Sequence, residues 1–365
     1  MNKRNRLTAL LTLVLLAATG CSNTASSVSP AQTDAAAAQA SLTPFAIGHL
    51  PATGHILFFI AKEEGFFEQE GLDVSLQQFD NNTSELAALE SGKLDVAPIN
   101  ATNLVKFIGE GHELTSIGGV MSDGHALVVR PEVVEGVAPE EYSLELLRGK
   151  KVVLQAGSTY DVEFRMALKQ AGLTPGVDVE VVSADSGTSA YNALKSGDVA
   201  GAAVYAPFRL KAINEGNVAL MYCDEVEYFE HPICCRSVTL SSNVKADPDK
   251  YVAYTRAMIK ASEFLENEHT KSAEDAAKYL DLDVELLEEE TYFHSINNPD
   301  PDEKKTVTFY NAMKELGYLD DSSDIDITLS VNNEIYEKAL DGLLSDDPDN
   351  SFYKGLKEYH ENAKV

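Results

Sequence analysis

The chain has 365 residues, 44% of them hydrophobic, and sets 29 Lys and Arg against 58 Asp and Glu, a formal charge of −29. Charge of that sign repels a phosphate backbone, which excludes nucleic-acid binding, and it keeps an exposed protein in solution. Without its leader the chain keeps roughly 320–340 residues, two domains' worth with a core for each.

The leader comes first. Lys3, Arg4 and Arg6 precede an apolar run over residues 7–18 that is short for a spanning helix. Ala17-Ala18-Thr19-Gly20-Cys21 then resembles a bacterial lipobox, with Ala18 where Leu or a branched residue is usual. Residues 1–20 are therefore expected to be a lipoprotein signal peptide, and Cys21 the lipidation site, carrying diacylglycerol on sulfur and an acyl chain such as palmitate on nitrogen. An ordinary secretory cleavage near Ala17 or Ala18 is the alternative. Residues 21–41 are low-complexity Ala, Ser, Thr and Gln, read as a disordered tether.

From residue 45 the pattern is strand and short helix in alternation. Strands are expected at 45–49, 72–77, 94–99 and 114–120, with helices at 56–64, 84–89 and 102–109. The segment HALVVR (125–130) is extended, and Pro131 breaks it. The pattern then restarts, with strands at 151–154, 178–183 and 200–205 and helices at 161–171 and 189–195. ICCRSVTL (233–240) is extended again. The motif Ala-Leu-x-Ser-Gly occurs at 88–92 and 193–197, once in each half. The reading is two α/β lobes of mostly parallel sheet. Lobe 1 is residues 42–130 plus 233–365, lobe 2 is 131–232, and HALVVR and ICCRSVTL are the two crossings. Residues 248–363 read as acidic amphipathic helices packed on lobe 1.

Ligands of open α/β sheets sit beyond the carboxyl ends of the strands. That rule selects the loops holding Thr53, Gly54 and His55, then Asn82, then Asn100. In the second half it selects Ser158 with Thr159, Thr188, and Tyr205. Most open a helix, where free N–H groups suit oxygen-rich ligands. The same residue types also serve as plain helix caps. His49, His55, His125 and His231 flank these loops, yet no H-E-x-x-H or paired C-x-x-C spacing occurs, so no metal is expected. Nor is there a nucleophile elbow, a Walker loop or a carboxylate pair to support catalysis. Cys223, Cys234 and Cys235 allow one disulfide, of Cys223 with either neighbour or between the adjacent pair, or remain buried thiols.

GFFEQEGLDV (65–74), ALESGKLDVAPIN (88–100), GKKVVLQAGST (149–159) and ALKSGDVAGAAVYAP (193–207) together resemble the substrate-binding lipoproteins of ABC importers of the sulfonate, nitrate, taurine and thiamine-precursor type, the SsuA/THI5-like or NMT1-like group. The resemblance covers roughly residues 45–245. It implies a two-lobed periplasmic-binding-protein fold, type II-like, with two hinge strands. It further implies a small molecule held between the lobes, a permease with an ATPase as partners, no cofactor, a monomer, and an extracytoplasmic place at the membrane. Ala206 stands where relatives carry an aromatic or acidic residue, and the Pro-Ile-Cys-Cys-Arg run departs from the pattern. A binding lobe of a sensory system and a THI5-like pyrimidine synthase, which carries a longer cysteine run, are the competing readings.

Overall fold

The computed structural model describes residues 41–319 and 325–365. The leader, Cys21 and nearly all of the expected tether lie outside the described residues. Residues 41–365 form one compact unit.

Among the described residues eleven strands build the sheets. β1 (Thr43–His49) pairs in parallel with β2 (Leu72–Gln78). β3 (Ala97–Asn100), β4 (Leu114–Asp123), β10 (Ile233–Leu240) and β11 (Ser295–Ile296) form a second sheet in the order β11-β4-β10-β3, bridged to β1 at Ile47 and Val96. The remaining sheet has the order β7-β6-β8-β5-β9, from β5 (His125–Val129), β6 (Lys151–Gln155), β7 (Glu180–Ala184), β8 (Gly201–Tyr205) and β9 (Val218–Tyr222).

The sheets are mixed rather than mostly parallel. Strands joined through a helix run parallel, as β1 with β2 and β6 with β7 and β8. β5 and β10 run antiparallel to every neighbour, because each enters its sheet directly from the other one. The chain changes sheets at Gly124, between β4 and β5, and again over residues 223–232, between β9 and β10. HALVVR is therefore the first strand of the second sheet system, not the tail of the first. Helix Phe208–Asn214 and β9 complete that half; the sequence patterning had left both unassigned.

The Ala-Leu-x-Ser-Gly copies are two equivalent helix ends. They close helices Asn82–Glu90 and Gly187–Ser196, and Gly92 (φ 72°) and Gly197 (φ 83°) turn the chain out in the left-handed region open to glycine.

The apolar stripe of helix Ile56–Glu63 is wholly buried against helices Pro248–Asn267 and His269–Ala277, with Tyr254 stacked on Phe45 at 5.3 Å. Helices Asn333–Asp346 and Ser351–Ala363 cover the outer side of Pro248–Asn267. One C-terminal helix, Glu303–Glu315, belongs to both halves. Its Phe309, Ala312 and Met313 share a core with Ala101 and Val105 of the first half and with Phe164, Met166 and Leu168 of the second. Arg209, on Phe208–Asn214, forms a fully buried ion pair with Glu290 of helix Val284–Tyr292, at 2.6 Å. It also donates to the carbonyls of Phe293 and His294.

Candidate functional site

A cleft of about 470 Å³ opens between the two sheet systems, at the carboxyl ends of β1, β3, β6 and β8. From the first half come Gly54, His55, Asn82 and Asn100; from the second come Ser158, Thr159 and Tyr205. These are seven of the nine residues the loop rule selected. Thr53 is buried but does not line the cleft, and Thr188 faces solvent while its neighbour Gly187 lines the wall.

Several of these side chains are committed to the protein. Asn100 Oδ1 caps helix Ala101–Gly109 by accepting from Asn103 N at 2.8 Å. Ser158 Oγ caps helix Thr159–Gln170 by accepting from Asp161 N at 3.1 Å. Asn82 is spent entirely: its amide donates to Glu85 and the Pro98 carbonyl, and its oxygen accepts from Asn100 N and Asn103 Nδ2. It fixes the loops of β2 and β3 against each other. Glu85 below it is buried, and desolvation lifts its carboxyl to about 8 against the pull of the Asn82 amide.

Other groups are left available. Asn100 Nδ2 and the Tyr205 hydroxyl have no hydrogen-bond partner in the protein among the described residues. His55 Nδ1 accepts from Leu50 N at 3.0 Å, which leaves the proton on Nε2. Burial, with His49 nearby, drives its pKa down to about 3, so this imidazole is a neutral donor. Among the described residues Lys106 is the one lysine or arginine that lines the cleft, and Asp80 and Asp185 stand exposed on its opposite walls. The halves touch where Thr102 Oγ1 donates to the Ser158 carbonyl at 3.1 Å.

The floor holds residues that loop reasoning passed over: His125, Cys234 and Cys235. A bulge in β10 brings the cysteines in together. Ile233 faces Ser122 and Cys235 faces Met121, so Cys234 is an extra residue, and two consecutive side chains reach the same cavity. Their sulfurs are 3.4 Å apart, and Cys234 Sγ lies 3.6 Å from His125 Nε2. His125 Nδ1 pairs with the buried Glu163 carboxylate at 2.9 Å. Burial opposes charge on His125, but Glu163 and Cys234 outweigh it and hold the imidazole well above its usual range. The Cys234 thiol is correspondingly low: the Cys235 hydrogen bond comes first, and His125 adds to it against burial. No disulfide is present among the described residues: Cys223, Cys234 and Cys235 are free thiols, and a bond needs sulfurs about 2.05 Å apart. Cys223 is kept from Cys234 by His125, whose backbone N–H bonds the Cys223 sulfur at 3.3 Å while its ring contacts Cys234.

The changeover between halves is tied by side chains as well. Asp123 (φ 61°) pairs with His231 at 2.9 Å, and Asp224 with His294 at 2.7 Å. Gly124 N donates to the His294 carbonyl and Asp123 N to that of Pro232.

Two α/β halves joined by two chain crossings around a polar cleft define the periplasmic-binding-protein class of fold. The chain belongs to the NMT1-like family, whose model matches residues 38–281. The binding protein YtlA of Bacillus subtilis is 26% identical over 297 residues, 77% of this chain and 85% of that one. The fold matches that of the periplasmic nitrate-binding protein NrtA from Synechocystis PCC 6803, with a TM-score of 0.70 and 16% identity over 89% of this chain and 99% of that one. It also matches the periplasmic aliphatic sulphonate binding protein SsuA from Escherichia coli, at 0.66 and 17% over 81% and 100%. These relatives are binding proteins, not enzymes. No helix among the described residues is long and apolar enough to cross a membrane.

Proposed function

We propose that this chain is the solute-binding component of an ABC importer. In this reading it is exported, held at the membrane by lipid on Cys21, and monomeric. It takes a small polar solute between its lobes and presents the closed form to a permease with its ATPase. The lobes are residues 42–123 with 233–365, and residues 125–232. The observation that carries the reading is the set of unspent donors facing one cavity from both halves: Asn100 Nδ2, His55 Nε2 and the Tyr205 hydroxyl. Solute bound to one lobe gains the other lobe's contacts only on closure, and that difference in affinity drives the closure.

The charge around the cleft narrows the solute. One exposed lysine against Asp80 and Asp185 suits a neutral or zwitterionic molecule better than a bare inorganic anion. An aminosulfonate such as taurine, or a neutral pyrimidine, fits that description; nitrate does not.

Native mass spectrometry of residues 22–365, purified without denaturation, tests the reading. A retained small mass that is lost in Asn100→Ala and Tyr205→Ala supports it. If the protein is empty, a melting panel of aminosulfonates, alkanesulfonates, nitrate and pyrimidines follows, and no shift with any of them sinks the transport reading. Membrane fractionation of Cys21→Ser checks the anchor: the variant is expected in the soluble fraction.

A further inference from the structure

The floor of the cleft carries a cluster that solute capture by amides and hydroxyls does not require. Cys234 Sγ has three polar neighbours: Cys235 Sγ at 3.4 Å, His125 Nε2 at 3.6 Å and Thr159 Oγ1 at 3.7 Å. Thr159 is the first residue of helix Thr159–Gln170, so the sulfur also lies at the positive end of that helix. Behind the imidazole, Glu163 holds His125 Nδ1 at 2.9 Å, which completes a chain of thiol, imidazole and carboxylate. A donated hydrogen bond, a charged imidazole and a helix N-terminus each favour negative charge on sulfur.

The titratable groups around this sulfur act in one direction. Against burial, the charges of Glu163 and Cys234 hold His125 protonated. Burial keeps the Tyr160 and Tyr205 hydroxyls above their usual range, and so neutral. Cys235 is held protonated by the hydrogen bond it gives to Cys234, and by burial. The three thiols also differ in access. The bulge in β10 turns Cys234 and Cys235 to the cleft, where they are 6% and 8% exposed. Cys223 is 0% exposed and lies outside the cleft lining, and burial lifts its thiol to about 12.

We propose that Cys234 is a nucleophile that exchanges with small uncharged disulfides entering the cleft, with His125 supporting the charge on its sulfur and Glu163 positioning the imidazole. The Cys234 thiolate forms a bond to one sulfur of the reactant, and the old sulfur–sulfur bond breaks. Its electron pair leaves on the second sulfur, which takes a proton from solvent. Cys234 is oxidised to a mixed disulfide, and the departing half of the reactant is reduced to a thiol. The exchange stops there. Cys235 is protonated, and a bridge between neighbours would span Cα atoms about 3.8 Å apart, closer than the roughly 4.4–6.8 Å of ordinary disulfides. The inference goes beyond solute transport: the reactant enters by the same cleft, but the reaction requires no solute.

Incubating reduced residues 22–365 with hydroxyethyl disulfide, and reading intact mass over time, tests it. The expected result is a gain of one mercaptoethanol unit per chain, mapped to Cys234 by proteolysis and removed by a phosphine reductant. From pH 7 to pH 5 an ordinary thiol loses about 100-fold in rate along with its thiolate, whereas Cys234 should lose less than about 10-fold. His125→Asn should restore the ordinary profile, and Glu163→Gln should move toward it. Cys223→Ala and Cys235→Ala keep the adduct, and Cys234→Ala loses it. Melting of each variant separates lost reactivity from lost folding, and the wild-type map and pH profile stand without any variant. An adduct on Cys223 or Cys235 in place of Cys234 overturns the assignment. So does a wild-type rate that falls about 100-fold by pH 5, or a folded protein that stays unmodified while its urea-unfolded form reacts. Release of two thiols with no mass gain marks a bridge between Cys234 and Cys235, and it too refutes the adduct. Solute mass survives the phosphine and adduct mass does not. Protein that forms the adduct yet retains no solute therefore leaves this site standing and removes the transport reading, and the reverse pattern does the opposite.

Discussion

Replacing Arg209 with Met should be among the most damaging single changes outside the cleft. Both Arg209 and Glu290 are 0% exposed, and their bond is 2.6 Å. The substitution leaves the Glu290 carboxylate buried with the Leu210 N–H as its remaining donor, and takes a donor from the carbonyls of Phe293 and His294. Breaking a buried pair from one side costs about 3–5 kcal/mol. For a folded body of roughly 320 residues the unfolding entropy converts that cost into a melting-point fall of about 4–7 °C. Burial already holds the Glu290 carboxyl above its usual range against the pull of Arg209. Without Arg209 it rises further, so the folded state keeps a proton that the unfolded chain releases, and the defect should be smaller at pH 5 than at pH 8. The double variant Arg209→Met with Glu290→Leu leaves no orphan charge and should melt above Arg209→Met alone. The assay is thermal melting by circular dichroism at both pH values. A single variant within about 1 °C of wild type, or a double variant that loses the sum of the two singles, refutes the reasoning.

Glu85→Gln removes a carboxyl whose folded pKa is raised to about 8. The native state keeps that proton while the unfolded chain releases it, so wild-type stability falls as pH rises from the ordinary carboxylate range toward 8. The variant should therefore match wild type near pH 4 and melt higher at pH 7.5; an unchanged difference across that range would count against the burial argument. Gly187→Ala places a Cβ 2.2 Å from Tyr205 Cε1. The ring must shift, so solute affinity, read by calorimetry, should drop with little change in melting point. Tyr205→Phe removes only the unspent hydroxyl and should weaken the same solute by about 2- to 13-fold, the worth of one hydrogen bond; equal affinity would show that the hydroxyl faces water in the complex.

Much of the scaffold was legible because it is local. Strand and helix periodicities placed most elements, and the repeated Ala-Leu-x-Ser-Gly reported two helix ends with glycine in the left-handed region. Parts that depend on tertiary pairing were not. β9 is a half-buried edge strand whose partner, β5, lies some ninety residues earlier, so its own sequence carries little alternation. The changeover at Gly124 was hidden because HALVVR is buried in either assignment. Within the cleft, the rule of strand ends found the loops but could not tell Gly187 from Thr188, since that depends on which way one residue faces. The cluster on the floor was the least readable part. Cys234 and His125 are 109 residues apart, and adjacent cysteines in a strand ordinarily point to opposite faces. Only the bulge in β10 brings them to one side.

The joint between the halves has a mechanical consequence. The crossing at Gly124, the returning segment at Pro232 and the pairing of β11 all meet within hydrogen-bond reach of Asp123 and Gly124. In the proposed reading, closure of the halves would have to bend this joint, alongside the buried Arg209–Glu290 pair that also ties them. At Gly124 (φ 88°) an added Cβ would meet Met121 at 3.0 Å, so any side chain there would strain this crossing.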